Sequence, residues 1–300
     1  MQPPSALGCS WLVSRATARS RSMSTRDSMP AVSLLGVPYD AHSSFLRGPA
    51  GAPAAVRAAL DGGSANWCTE RGIDLDPAKG AAWRDIGDLD LPEEVEPALT
   101  IIREAAADAI VGGGRLVSIG GDHLVTWPLV QAMTEEHDGL TLLHFDAHPD
   151  LYDELDGDRY SHACPFARIM EEGKVARLVQ FGIRTMTPHQ WAQAERFGVE
   201  VHEAREGVVS MPSIDGPVYV TIDIDVLDPA FAPGMSHHEP GGWSTRQLLG
   251  ALAAIARSDA VVVGADIVEI NPERDINGLT AMVGAKLVKE LLELVGVSGT

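Results

Sequence analysis

The 300-residue chain predicts an α/β fold in which a central parallel β-sheet is covered by helices on both faces. Two observations carry that expectation. The strand-length runs are apolar throughout instead of alternating, as strands buried on both faces must be, and stretches with helical periodicity stand between them. In chain order the strand runs are VSLLGVP (Val32 to Pro38), RLVSIGG (Arg115 to Gly121), LTLLHF (Leu140 to Phe145), RLVQFGI (Arg177 to Ile183), VYVTIDI (Val218 to Ile224) and AVVVGADIVEI (Ala260 to Ile270). A first helix is read in GAPAAVRAAL (Gly51 to Leu60). STRQLLGALAAIA (Ser244 to Ala256) opens on a Ser or Thr cap, and the closing TAMVGAKLVKELLELV sets Leu287, Val288, Leu291, Leu292 and Val295 on one stripe. No composition break or internal repeat divides residues 31–300, which are read as one domain.

Composition narrows the function. The 23 basic residues against 42 acidic ones leave a net charge of −19, which repels phosphate backbones and excludes nucleic acid as a partner while favouring a small cationic one. No apolar run is long enough to span a membrane. Cys9, Cys68 and Cys164 stand far apart, so neither a disulfide framework nor a zinc cluster is expected, and the compartment reads as reducing. Residues 1–30 are read as an N-terminal extension outside the fold, disordered or resembling a transit peptide. They hold Arg15, Arg19, Arg21, Arg26 and seven serines against one acid, Asp27. That is the composition of a mitochondrial transit peptide, and equally that of a reading frame extended upstream of a start at Met23 or Met29. The acidity of the remainder favours the cytoplasm, with the mitochondrial matrix as the alternative.

Ligands of parallel sheets sit beyond the carboxyl ends of the strands. After RLVSI comes Gly120-Gly121-Asp122-His123, after LLHF comes Asp146-Ala147-His148-Pro149-Asp150, after VYVTI comes Asp223-Ile224-Asp225, and after VVVGADIV comes Glu269. Taken singly, a DxD is most often a solvated turn, and GGDH reads as a strand-to-helix turn whose glycines supply positive φ. Together they are harder to dismiss. Side chains two apart on an extended chain point the same way, so Asp146, His148 and Asp150 share one side, as do Asp223 and Asp225. With His123 the count is four carboxylates and two imidazoles. Packed without a cation they would raise one another's pKa values and destabilise the fold. Six donors are too many for one tetrahedral zinc but suit two divalent ions bridged by shared carboxylates, and oxygen-rich ligation without thiolate favours manganese, with nickel, iron or cobalt as substitutes.

GGDH, DAHPD and DIDVLDP resemble the three signatures of the ureohydrolase family, which includes arginases and agmatinases. The likeness runs from LGVPYD to the closing helix. The wording SSFLRGPAGAP, LDPAFAPGMSHHEPGG and GADIVEINPERDINGLTAMVGAKLVKELL is similar to plant-type arginases. The resemblance implies a three-layer α/β/α fold, two Mn²⁺ per subunit, assembly into homotrimers or homohexamers, and one catalytic domain over residues 31–300. It matches His123, Asp146, Asp150 and Asp223 to one metal and Asp146, His148, Asp223 and Asp225 to the other, with Asp146 and Asp223 as bridges. The implied reaction is hydrolysis of a guanidinium to urea and an amine by water activated between the metals. Asp150 then also holds that water, Glu269 binds the guanidinium, and His162 in YSHACPF passes a proton to the leaving amine.

Where the substrate's tail would sit, the match thins. Arg184-Thr185-Met186-Thr187-Pro188-His189-Gln190 carries no acid for an α-amino group, although Thr185, Thr187 and Gln190 offer a hydroxyl or an amide. The acidic loop Asp153 to Asp158 stands where a carboxylate-recognising loop is kept, so Asp153 is a candidate for a cationic tail. His237, His238 and Glu239 are placed at the mouth of the site. The leading expectation is arginase. The alternatives are agmatinase or another guanidino-compound hydrolase (guanidinobutyrase, guanidine hydrolase), a non-catalytic metal-binding subunit, and a deacetylase of the same general fold.

Overall fold

The computed structural model describes residues 32–207 and 211–297; the N-terminal extension read at 1–30 lies outside them. The strands are β1 (Val32–Gly36), β2 (Trp83–Asp88), β3 (Arg115–Ile119), β4 (Thr141–Phe145), β5 (Arg177–Ile183), β6 (Glu200–Glu203), β7 (Asp215–Asp223) and β8 (Asp259–Val268). The helices are α1 (Ala52–Leu60), α2 (Val95–Ile110), α3 (Thr126–Glu136), α4 (Pro165–Glu172), α5 (Pro188–Phe197), α6 (Thr245–Ile255) and α7 (Leu279–Val297). The sheet order is β2-β1-β3-β8-β7-β4-β5-β6, and every neighbouring pair is parallel.

All six apolar runs become strands. The two unread strands, WRDIGD and EVHE, are the edges of the sheet. An edge strand keeps one side in water and needs no apolar run, so hydrophobic pattern cannot announce it.

Alternation along β4 shows the layering. Leu142 belongs to the buried cluster that holds Ile102 of α2, Leu129 of α3, Phe166 of α4 and Ala194 of α5, whereas Leu143 and Phe145 belong to the one that holds Val56 of α1, Leu248 of α6 and Leu291 of α7. The sheet is thus the middle of three layers. Each such side chain, fully buried, contributes roughly 1.5–3 kcal/mol, which is what holds the helices to it. The α7 stripe Leu287, Val288, Leu291, Leu292 and Val295 is buried in that core as its spacing predicts. Ser244 caps α6 in a capping box: its Oγ accepts the Gln247 N–H and the Gln247 Oε1 accepts the Ser244 N–H. No helix among the described residues is long and apolar enough to cross a membrane, and Cys68 and Cys164 are free thiols.

Candidate metal centre

The strands that carry the candidate ligands, β3, β8, β7 and β4, are four consecutive neighbours at the middle of the sheet. Their ends are level. Ile119 pairs with Ile267, Ile267 with Ile222 and Ile222 with Phe145, so the segments that follow the four strands, carrying His123, Glu269, Asp223 and Asp146, start from one level. The Gly120-Gly121 pair works differently from a positive-φ turn, since neither residue has positive φ. Gly121 is required because a Cβ there would lie 1.7 Å from the Tyr39 carbonyl oxygen. That close approach lets Tyr39 O accept the Asp122 N–H at 2.8 Å and sets the following His123 at the crevice floor.

The structure brings all six candidate donors together. Fully buried His123 turns Nδ1 toward three carboxylate oxygens, Oδ2 of Asp146 and of Asp150 at 3.1 Å each and Oδ2 of Asp223 at 3.3 Å, yet this nitrogen has no hydrogen bond of acceptable geometry. His148 Nδ1 lies 3.0 Å from Asp225 Oδ2 and 3.4 Å from Asp146 Oδ1. Asp146 therefore faces one set with Oδ2 and the other with Oδ1, the geometry a bridging carboxylate needs. Asp223 Oδ1 accepts the Asp225 N–H at 2.8 Å and Asp225 Oδ1 the Ala147 N–H at 3.0 Å, which fixes both side chains. Burial, then the charges of Asp225 and Asp146, push the Asp223 carboxyl well above the usual range. Burial and Asp146 likewise raise Asp225 to about 6. An orphaned nitrogen and mutually repelling carboxylates fit divalent cations, whose charge relieves both.

Asp150 and Glu269 both hold left-handed backbone, φ 49° and 63°. Such backbone is uncommon outside glycine, less so for Asp than for Glu, and where the fold enforces it, it costs roughly 1–3 kcal/mol. Glu269 Oε1 accepts the His123 N–H at 2.9 Å and a bond from His162 Nδ1 at 2.8 Å, and His162 Nε2 meets Ser44 Oγ at 2.8 Å. Burial alone would lower the His162 pKa, but the Glu269 charge and hydrogen bond raise it to about 9. Burial would raise Glu269, and His162 more than offsets it.

Below the ligands runs a feature that the motifs do not reveal. Ser118, Asp266, Thr221, His144 and Gln180 pair in register across β3, β8, β7, β4 and β5, all fully buried. His144 and Thr221 each stand two residues before a candidate donor, Asp146 and Asp223, on the same side of the strand. His123 Nε2 meets Thr221 Oγ1 at 3.1 Å, which leaves Nδ1 turned to the carboxylates. Gln180 Nε2 donates to Pro149 O at 2.7 Å, which orients its amide, and its second hydrogen meets His144 Nδ1 at 2.9 Å. His144 Nδ1 must then accept, so the ring proton sits on Nε2 and is donated to Asp146 Oδ2 at 2.8 Å. Such outer partners orient metal ligands.

Above the donors opens a cavity of about 190 Å³, its floor made by His148, Asp150, Asp223, Asp225 and Glu269 with His162 beside them. Ser44, Tyr152, Thr185, Thr187, Gln190 and His237 supply polar walls, and Leu155 and Met235 apolar ones. Asp153, His238 and Glu239 fall outside it. Asp153 turns to α5, where Oδ1 accepts from Gln193 Nε2 at 2.7 Å. The loop's other end is tied by Asp158 to His42 at 2.6 Å, so Leu155 and not an acid faces the cavity. His238 is exposed and its Nε2 bonds Pro233 O at 2.9 Å, while Glu239 serves through its backbone oxygen, which accepts from Arg184 Nε at 2.9 Å.

Fold and donor set together define a metal-dependent hydrolase built on a parallel α/β sheet. The chain belongs to the arginase family, whose model matches residues 30–293. It is 44% identical over 278 residues to "Arginase 1, mitochondrial" of Arabidopsis thaliana, covering 87% of this chain and 80% of that one. It is 34% identical to the agmatinase of Bacillus anthracis over 266 residues, 87% and 90% of the two chains. The solved arginase from Medicago truncatula superposes with a TM-score of 0.81 at 41% identity, covering 89% of this chain and 88% of that one.

Proposed function

We propose that the protein is an arginase that hydrolyses L-arginine to L-ornithine and urea. The observation that carries this reading is Glu269: a strained, buried carboxylate that faces the cavity directly beside the six metal donors, matched in shape to a guanidinium fork. The higher identity to the plant arginase than to the agmatinase supports arginine over agmatine.

His123, Asp146, Asp150 and Asp223 would hold one metal and Asp146, His148, Asp223 and Asp225 the other, with Mn²⁺ as the proposed ion and nickel, iron or cobalt as substitutes. When bound, two such ions would acidify a water enough to ionise near neutral pH and would place positive charge beside the reacting carbon. Asp150 would hold the attacking water by accepting its hydrogen. Glu269 accepts the guanidinium N–H groups and presents the planar carbon to the attack. His162, carrying a proton on Nδ1, delivers it to the leaving nitrogen.

The tail wall has its own chemistry. Thr187 and Gln190 form the capping box of α5: the Thr187 N–H and hydroxyl both donate to Gln190 Oε1 at 3.0 and 3.2 Å, and Thr187 Oγ1 accepts the Gln190 N–H at 3.3 Å. Gln190 Oε1 thereby accepts two hydrogens and is committed, while Thr187 Oγ1 keeps one lone pair. What Gln190 leaves for a ligand is its amide N–H, which suits a carboxylate and not an ammonium, and agmatine has no carboxylate. Acceptors for an α-ammonium reduce to neutral hydroxyls such as Thr185, each giving up roughly 1 kcal/mol or more against a charged partner. Arginine is therefore expected to be the best substrate with a high KM, and agmatine a measurable side substrate. After manganese loading, kcat/KM is compared for arginine, agmatine, 4-guanidinobutyrate and guanidine. A tenfold or greater preference for either of the last two rejects the arginase reading and leaves guanidino hydrolysis standing.

Residues 31–300 are proposed as the catalytic unit, assembled as a homotrimer or homohexamer; a chain starting at Met29 should keep wild-type turnover. The Arg- and Ser-rich first thirty residues, with the mitochondrial relative, support a mitochondrial address over the cytoplasm, and a fluorescent fusion read by microscopy decides between them.

A further inference from the structure

We propose that His162, His237 and Glu269 form a third cation site, distinct from the six-donor pair, which takes a zinc ion and inhibits the enzyme by occupying the groups that hold the guanidinium. The inference rests on the arginase-type reading of this cavity for its effect on activity, but not for the existence of the site.

The three residues each present one ligand atom, and all three atoms lie within 4.8 Å of one another. Around a tetrahedral zinc, donors about 2.0–2.1 Å from the ion stand roughly 3.4 Å apart, so closure needs shifts of about an ångström. Two anchors are already nearly in place: His162 Nδ1 and Glu269 Oε1 are 2.8 Å apart, and the Glu269 carboxylate is pinned by the His123 N–H. His237 is the adaptable member. Its ring packs 5.0 Å from the His162 ring and 5.7 Å from that of exposed Phe45, and among the described residues neither of its nitrogens has a hydrogen-bond partner.

Proton placement also allows it. To bind a cation, His162, which Glu269 keeps protonated, must give up its Nδ1 proton to solvent as zinc takes its place, and the remaining proton sits on Nε2. Ser44 Oγ stands 2.8 Å from Nε2 and, as a hydroxyl, accepts there as readily as it donates. Two imidazoles and one carboxylate with a fourth position open to the cavity is a zinc-type donor set, unlike the carboxylate-rich pair beneath. The net charge of −19 raises the local concentration of any divalent ion.

The test uses the full chain loaded with two manganese ions. Zinc chloride is added at defined free concentrations without substrate, both metals are counted after desalting, and urea release from arginine is then measured across the same series. The expected result is one zinc per chain with both manganese ions retained, an apparent KM for arginine that rises with zinc while kcat holds, and at least a tenfold weaker zinc affinity in His237→Asn with manganese content unchanged. Zinc that enters only by displacing manganese, or that binds His237→Asn as tightly as wild type, overturns the site. If zinc-free enzyme releases no urea from arginine, the functional reading falls, while the zinc count still decides the site.

Discussion

Gln180→Leu separates a metal-positioning role for the buried polar row from a merely structural one. The substitution removes two N–H donors at nearly constant volume and strands two buried acceptors, Pro149 O and His144 Nδ1. Each stranded acceptor costs roughly 1–3 kcal/mol, so the metal-free protein should lose roughly 2–6 kcal/mol of stability, toward the lower end where relaxation is allowed. A second effect follows only if the row orients ligands. Without the Gln180 donor, the His144 proton is no longer confined to Nε2, and Asp146 Oδ2 loses a fixed 2.8 Å donor that holds its carboxylate between the two sets of candidate donors. Loss of an outer partner of this kind typically weakens metal binding by about 10–100-fold.

The assay is manganese titration of metal-free protein by calorimetry, alongside urea denaturation with and without metal. Gln193→Leu is the control, because Gln193 is another buried glutamine whose amide donates to Asp153 at 2.7 Å and touches none of the six candidate donors. It should cost stability and spare metal affinity. If Gln180→Leu binds manganese within threefold of wild type while losing as much stability as Gln193→Leu, the positioning role is refuted.

Three further outcomes are expected. Asp146→Asn and Asp223→Asn should each lose both ions and all urea release, whereas His123→Asn should empty one site preferentially; elemental analysis per chain checks this, and two full equivalents in Asp223→Asn would overturn its place as a bridge. His162→Ala should lower kcat by about 10²–10⁴-fold with metal content intact and partial rescue by imidazole, while Glu269→Gln should chiefly raise KM for arginine, so steady-state kinetics distinguish them. Gly121→Ala should yield little folded protein or a melting temperature many degrees lower, because its Cβ meets backbone and not a movable side chain.

Which residues meet on the floor was legible in the sequence because their spacing is a local property. Asp146, His148 and Asp150 share a face by strand geometry alone, and the rule that sites lie beyond strand carboxyl ends selects His123, Asp223 and Glu269 with them. What could not be read is adjacency. That β3, β8, β7 and β4 are neighbours is a property of the sheet order, in which β8, last in the chain, inserts beside β3. The polar row follows from the same cause: His144 in LLHF and Gln180 in RLVQFGI are visible as polar interruptions of buried runs, but only register shows that they meet.

The tail wall escaped for a different reason, which bears on how specificity is built here. Thr187 and Gln190 look like substrate groups from their place after a strand, and both do line the cavity, yet their oxygens start α5. A capping box stabilises the helix by about 1 kcal/mol only while its acceptors stay engaged, so a substrate ammonium recruiting Gln190 Oε1 would have to offset that loss as well as its own desolvation. Helix stability and ammonium recognition thus compete for the same atoms. The amide N–H of Gln190 is outside that competition, and a carboxylate meeting it leaves the cap intact. Gln190→Glu makes the distinction measurable: position 190 still receives a capping acceptor but presents no donor to the cavity. It should lower kcat/KM for arginine relative to agmatine, by about tenfold for the loss of one charge-assisted bond. An unchanged ratio of the two substrates would show that the carboxylate is held elsewhere on the wall.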